Sequence, residues 1–132
     1  MGDFVIFAIA KKLKDKGFSC KYPFAMYNKY EQFCPLYSSD QYYFGFEDFI
    51  NENDVIAPTI SQVLKWLRKE KKYHIEFVGN ACGYLFIISD TPSEGGTDRY
   101  CSDYSGPNDG GTWDKYEDTA LAGIEYVLDN LI

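Results

Sequence analysis

One histidine, four cysteines and 20 acidic side chains are the groups in this 132-residue chain that could do chemistry. His74 is the single side chain that ordinarily titrates near neutral pH, so a general-base role would fall to it. A thiol at Cys82 or Cys101, or an aspartate, could join it in activating a nucleophile, which requires contact at about 3 Å. His74 falls in the polar phase of a predicted strand, beside Tyr73 and Glu76, and that phase predicts a solvated position. The cysteines Cys20, Cys34, Cys82 and Cys101 stand 14, 48 and 19 residues apart. Structural zinc sites use closely spaced pairs, which these intervals do not supply. Cys82 and Cys101 could meet across a sheet, but burial of each as a small apolar residue is the expected role.

The carboxylates are too many to be informative by number, so their neighbours decide. Glu47 and Asp48 adjoin Phe46 and Phe49, and aromatic faces beside acids could hold a sugar or support acid/base hydrolysis. The competing role for such acids is to solvate the rim of an aromatic core. Asp90, Glu94 and Asp98 surround Gly95 and Gly96 without the residue order of a calcium-binding helix–loop–helix. Gly79 to Gly83 lacks the spacing and following helix of a phosphate loop. No metal and no cofactor is expected.

The elements that must position these residues read as one α+β domain over 1–132. A small antiparallel sheet of two to four strands should pack against two or three helices, in the order α-(β)-α-β-β-(β)-α. A first helix is predicted over 3–16, with Ile6, Ile9, Ala10 and Leu13 at helical spacing and Gly17 as its stop. Thr59 and Gln62 form a capping box for a second helix, whose apolar positions are Ile60, Val63, Leu64 and Leu67. That helix ends in the basic run Arg68, Lys69, Lys71, Lys72, where cations suit the helix dipole. Strands follow at Tyr73–Val78 and Tyr84–Ser89, joined by a connection longer than two residues. Residues 90–112 read as loop with an edge strand over Arg99–Tyr104. A last helix runs from about Asp114 to Leu131, with Gly123 marking a close approach.

Aromatic residues make up 18% of the chain, with 12 tyrosines and ten phenylalanines. They crowd residues 18–53, where Pro23 and Pro35 exclude a long helix. Gln41–Phe46 is predicted as one short strand within this segment, which should fold over the core as an ordered flap. Aromatic rings are favoured at protein interfaces because they give large contact area for little lost side-chain entropy. Tyr42, Tyr43 and Phe46, with Asp48 beside them, are the expected partner-binding residues.

Charge is unevenly placed in a chain of net charge −7. Residues 1–21 carry five lysines against two aspartates, and residues 90–132 carry Arg99 and Lys115 against ten carboxylates. This distribution argues against nucleic acid as partner. It favours another protein, basic in character, or self-association. The apolar run Phe4–Ala10 is too short to span a membrane. Its lysines follow rather than precede it, unlike a signal peptide, so a cytoplasmic location is expected.

The segment Pro58-Thr59-Ile60-Ser61-Gln62-Val63-Leu64-Lys65-Trp66-Leu67-Arg68 resembles the APTQSLAQKWLRE segment of one family. Its members are small uncharacterised proteins encoded by gut Bacteroidales genomes and their phages or integrated elements. The start of the Tyr73 strand, the closing Tyr116-Glu117-Asp118 to Leu128 stretch and the basic helix ending in Lys16-Gly17-Phe18 are similar too. The likeness covers about two-thirds of the chain. It implies a mobile-element accessory protein and carries over no catalytic residue. The resulting expectation is a non-catalytic protein-interaction accessory. The alternative is a small hydrolase or carbohydrate-binding protein using the aromatic and carboxylate-rich region.

Overall fold

A computed structural model describes residues 4–20, 23–35, 53–90, 98–102, 105–108 and 111–132. The chain divides into two compact units, Met1–Gln62 and Val63–Ile132.

In the first unit, helix α1 spans Phe7–Asp15 and buries Ile9, Ala10 and Leu13. It begins later than the sequence pattern suggests. Ile6 is the extended N-cap residue and is 52% exposed, while Val5 takes the buried place. The cause is a backbone hydrogen bond from Val5 N to the Pro58 carbonyl at 3.0 Å, beside a Phe4–Thr59 bridge. These bonds hold residues 4–5 extended and delay the helix. Gly17 ends it at φ +85°, with Phe18 N donating to the Leu13 carbonyl. Glycine adopts that left-handed backbone without steric cost.

Strands β1 (Ala25–Tyr27), β2 (Phe33–Pro35) and β3 (Val55–Ile56) form an antiparallel sheet in the order β2-β1-β3. Tyr27 pairs with Phe33 and Val55. Its ring makes edge contacts with Phe7 and Phe33, and Phe33 with Phe4, at centroid distances of 5.0–5.8 Å. The Tyr27 hydroxyl donates to the Val5 carbonyl at 2.8 Å. Burial pushes the Tyr27 phenol above its ordinary value of 10.0.

Helix α2 (Ile60–Trp66) starts with the capping box read from the sequence. Gln62 N donates to Thr59 Oγ1 at 3.1 Å, and Thr59 N donates to Gln62 Oε1 at 2.9 Å. The chain continues as a π-helical turn over Leu67–Lys71 and ends at Lys72 in the left-handed region, φ +64°.

In the second unit, β4 (Tyr73–Asn80), β5 (Gly83–Asp90) and β6 (Asp98–Cys101) form an antiparallel sheet in that order. Ile75 pairs with Ile88 and Phe77 with Phe86, so these four side chains share one face. Helix α3 (Tyr116–Asn130) covers it with Ala120, Ile124, Val127 and Leu128. Gly123 permits the close approach, because a Cβ there would lie 3.3 Å from Ile75 Cγ2 and from Phe86. Tyr100 of β6 stacks on Tyr126 at 3.7 Å between centroids.

The class is the α+β class expected, with two three-stranded antiparallel sheets among the described residues in place of one. The β4–β5 connection is corrected. Asn80 pairs with Gly83, leaving Ala81 and Cys82 as a two-residue turn. Asn80 Oδ1 accepts from Cys82 N at 2.8 Å, and Gly83 supplies φ +131°. No helix among the described residues is long and apolar enough to cross a membrane.

Candidate interaction surface

Tyr42, Tyr43, Phe46 and Asp48, the residues expected to bind a partner, lie outside the described residues, as do Glu47 and the strand predicted over Gln41–Phe46. The aromatic segment is legible in part through the β1–β2 hairpin, which the sequence pattern did not predict.

This hairpin is organised by one side chain. Asn28 Oδ1 accepts from Tyr30 N at 2.8 Å and Gln32 N at 3.1 Å. Asn28 Nδ2 donates to Gln32 Oε1 at 3.0 Å and to Cys34 Sγ at 3.7 Å. The backbone closes the turn from Asn28 N to the Gln32 carbonyl and from Glu31 N to the Asn28 carbonyl. Glu31 accepts a left-handed backbone, φ +63°. That conformation is uncommon for a residue other than glycine and needs such over-determination to persist.

The turn holds Tyr30 at its apex, 69% exposed, with Lys29 Nζ 5.1 Å from the ring centroid. Phe24, immediately before β1, is 49% exposed. Phe24 stands at the open end of the hairpin and Tyr30 at its turn, while Tyr27 and Phe33 anchor the strands between them. A fixed aromatic tip offers contact area without further ordering cost, which is how aromatic anchors act at interfaces. The signal in the sequence was Asn28, a residue that bonds its own turn.

The groups considered for catalysis or metal binding do not converge. His74 is opposite Ser89 on the face of the second sheet turned away from Ile75, and it is partly exposed. Six residues of extended β4 separate it from Asn80, about 20 Å at the usual strand rise, so Cys82 is out of reach. Cys101 pairs with Ile87, one strand beyond β5. Strand spacing puts His74 and Cys101 about 12 Å apart. The same geometry separates Cys82 from Cys101 by about 17 Å, too far for a shared metal or a disulfide. Both thiols are exposed, which corrects the burial expected for them. Each stands at a boundary, Cys82 in the turn and Cys101 ending an edge strand. No group of three histidine, cysteine or acidic residues among the described residues is arranged to hold a metal ion.

A second feature is an open depression of about 610 Å³ formed by the β4–β5 turn and Asp114. The loop before α3 clasps this turn. Thr112 Oγ1 and Asn108 Nδ2 both donate to the Cys82 carbonyl, at 2.6 and 3.0 Å. Trp113 exchanges two backbone hydrogen bonds with Tyr84. The Asp114 carboxylate accepts from Asn108 Nδ2 at 2.6 Å. Its lining supplies one carboxylate and one thiol but no base to pair with either. No protein-family model, curated protein or solved structure matches this chain.

Proposed function

We propose that the chain is a non-catalytic protein-interaction accessory of a phage or mobile element, acting in the cytoplasm. The interaction reading rests on one observation: Tyr30 stands 69% exposed at the apex of a turn fixed by Asn28. Four hydrogen bonds from one side chain hold a left-handed Glu31 in order to present that ring. Phe24 adds a second half-exposed ring on the same hairpin. The partner suited to this tip has an apolar pocket for a phenol, with acceptors at its edge for the hydroxyl and Lys29. The mobile-element origin rests on the sequence resemblance alone, carried by the Pro58–Arg68 segment with the Tyr73 strand start, the Tyr116–Leu128 stretch and the helix ending in Lys16-Gly17-Phe18.

The test is quantitative affinity capture from host lysate with the wild-type chain, Tyr30→Ala and Asn28→Ala, each first verified as folded by circular dichroism. A protein retained by wild type and depleted at least tenfold by both substitutions supports the reading. Identical capture by all three chains overturns it.

A further inference from the structure

A charged surface in the second unit points to a different contact, independent of the Tyr30 turn. Lys65, Arg68, Lys69 and Lys72 are all exposed on α2 and the π turn that extends it. They follow one another within eight residues, from the last turn of α2 through the π turn to its left-handed C-cap residue Lys72. Glu70 is the one carboxylate in this stretch. None of the four cations takes part in an ion pair or side-chain hydrogen bond among the described residues. Cations this close in sequence repel one another, and these stand without a partner among the described residues of a chain that holds 20 carboxylates.

The complementary surface is on α3. Asp118, Glu125 and Asp129 are seven and four residues apart, which brings them to one face of this helix. That face is distinct from the one buried through Ala120, Ile124, Val127 and Leu128. The acidic row is about 16 Å long at the α-helical rise, enough to cover the basic strip.

We propose that a second copy of this chain lays the acidic face of α3 along the basic strip at residues 65–72. Charge complementarity carries this choice of occupant. A nucleic acid is the other polyanion that could cover lysines and arginine, but the net charge of −7 opposes its approach. The basic row is also short for a backbone of repeated phosphates. The two patches are different surfaces, so the contact is heterologous and joins copies head to tail unless it closes on itself. Exposed charges make the association weak and salt-sensitive.

Sedimentation velocity of the full chain over a concentration series tests this at about 0.01 M and about 1 M salt, where screening lengths are roughly 30 and 3 Å. Wild type should self-associate at low salt and become monomeric at high salt. Arg68→Glu/Lys69→Glu and Asp118→Lys/Asp129→Lys should each be monomeric at low salt, with association at least tenfold weaker. All substituted positions are exposed, so far-UV circular dichroism should be unchanged. Mixing the two variants should restore a complex, because each retains the surface that the other lacks. Three results would each overturn the proposal: a wild type that stays monomeric at low salt, an association that persists at high salt, or variants that ignore one another. A fourth is retention of a short DNA duplex by a wild type that does not associate with itself.

Discussion

Gly83 follows the Ala81–Cys82 turn at φ +131°, and a Cβ there would overlap the Trp113 carbonyl oxygen. Backbone strain and the displaced Trp113–Tyr84 bonding both act against any larger residue. Gly83→Ala should therefore cost about 2–3 kcal/mol in urea unfolding. An unchanged midpoint would show that the loop before α3 yields freely. Tyr27 gives a second residue-level test. Burial raises its phenol above 10.0 in the folded chain, so folding favours the protonated form. That contribution is fully present below the unfolded value and is lost as pH rises through the folded one. Stability should fall above about pH 10, and Tyr27→Phe should flatten that fall. The same substitution leaves the Val5 carbonyl without its side-chain donor, costing about 1 kcal/mol at neutral pH. An equally steep alkaline loss in the variant would remove Tyr27 as its source.

The reciprocal bonds of Thr59 and Gln62 start α2, so Thr59→Ala should lower stability by about 1 kcal/mol. Because each side chain serves the other's backbone, Thr59→Ala and Gln62→Ala should be less than additive, and a double-mutant cycle reads this directly. The cap was legible because two matching residue types stand three apart. The faces of β4 and β5 were legible for the same kind of reason: Tyr73, Ile75 and Phe77 alternate with His74, Glu76 and Val78, and the register keeps that alternation. The turn between them was not, since Ala81-Cys82 contains neither glycine nor asparagine; the needed groups flank it at Asn80 and Gly83. The β1–β2 hairpin escaped for a related cause. Its strands are three residues long, and Glu31 adopts a backbone that glycine would normally announce. The expected site at Tyr42, Tyr43, Phe46 and Asp48, read from aromatic rings among polar neighbours, lies outside the described residues. The exposed Tyr30 depends on side-chain bonds that composition does not encode.

At the scale of the whole molecule, charge governs behaviour in solution. The sequence pI is about 4.6, so light scattering should be greatest near that pH, where repulsion between copies vanishes. Greatest solubility there would contradict a surface dominated by its carboxylates. The π turn over Leu67–Lys71 has a different whole-chain consequence. Its hydrogen bonds reach one residue further than those of an α-helix, so it stores one residue that regular winding would not need. Deleting the exposed Glu70 should let this stretch rewind, while deleting one residue inside β5 would invert every side chain beyond it. Natural variation in length is thus expected to concentrate at the spare residue, leaving the strands that follow in phase.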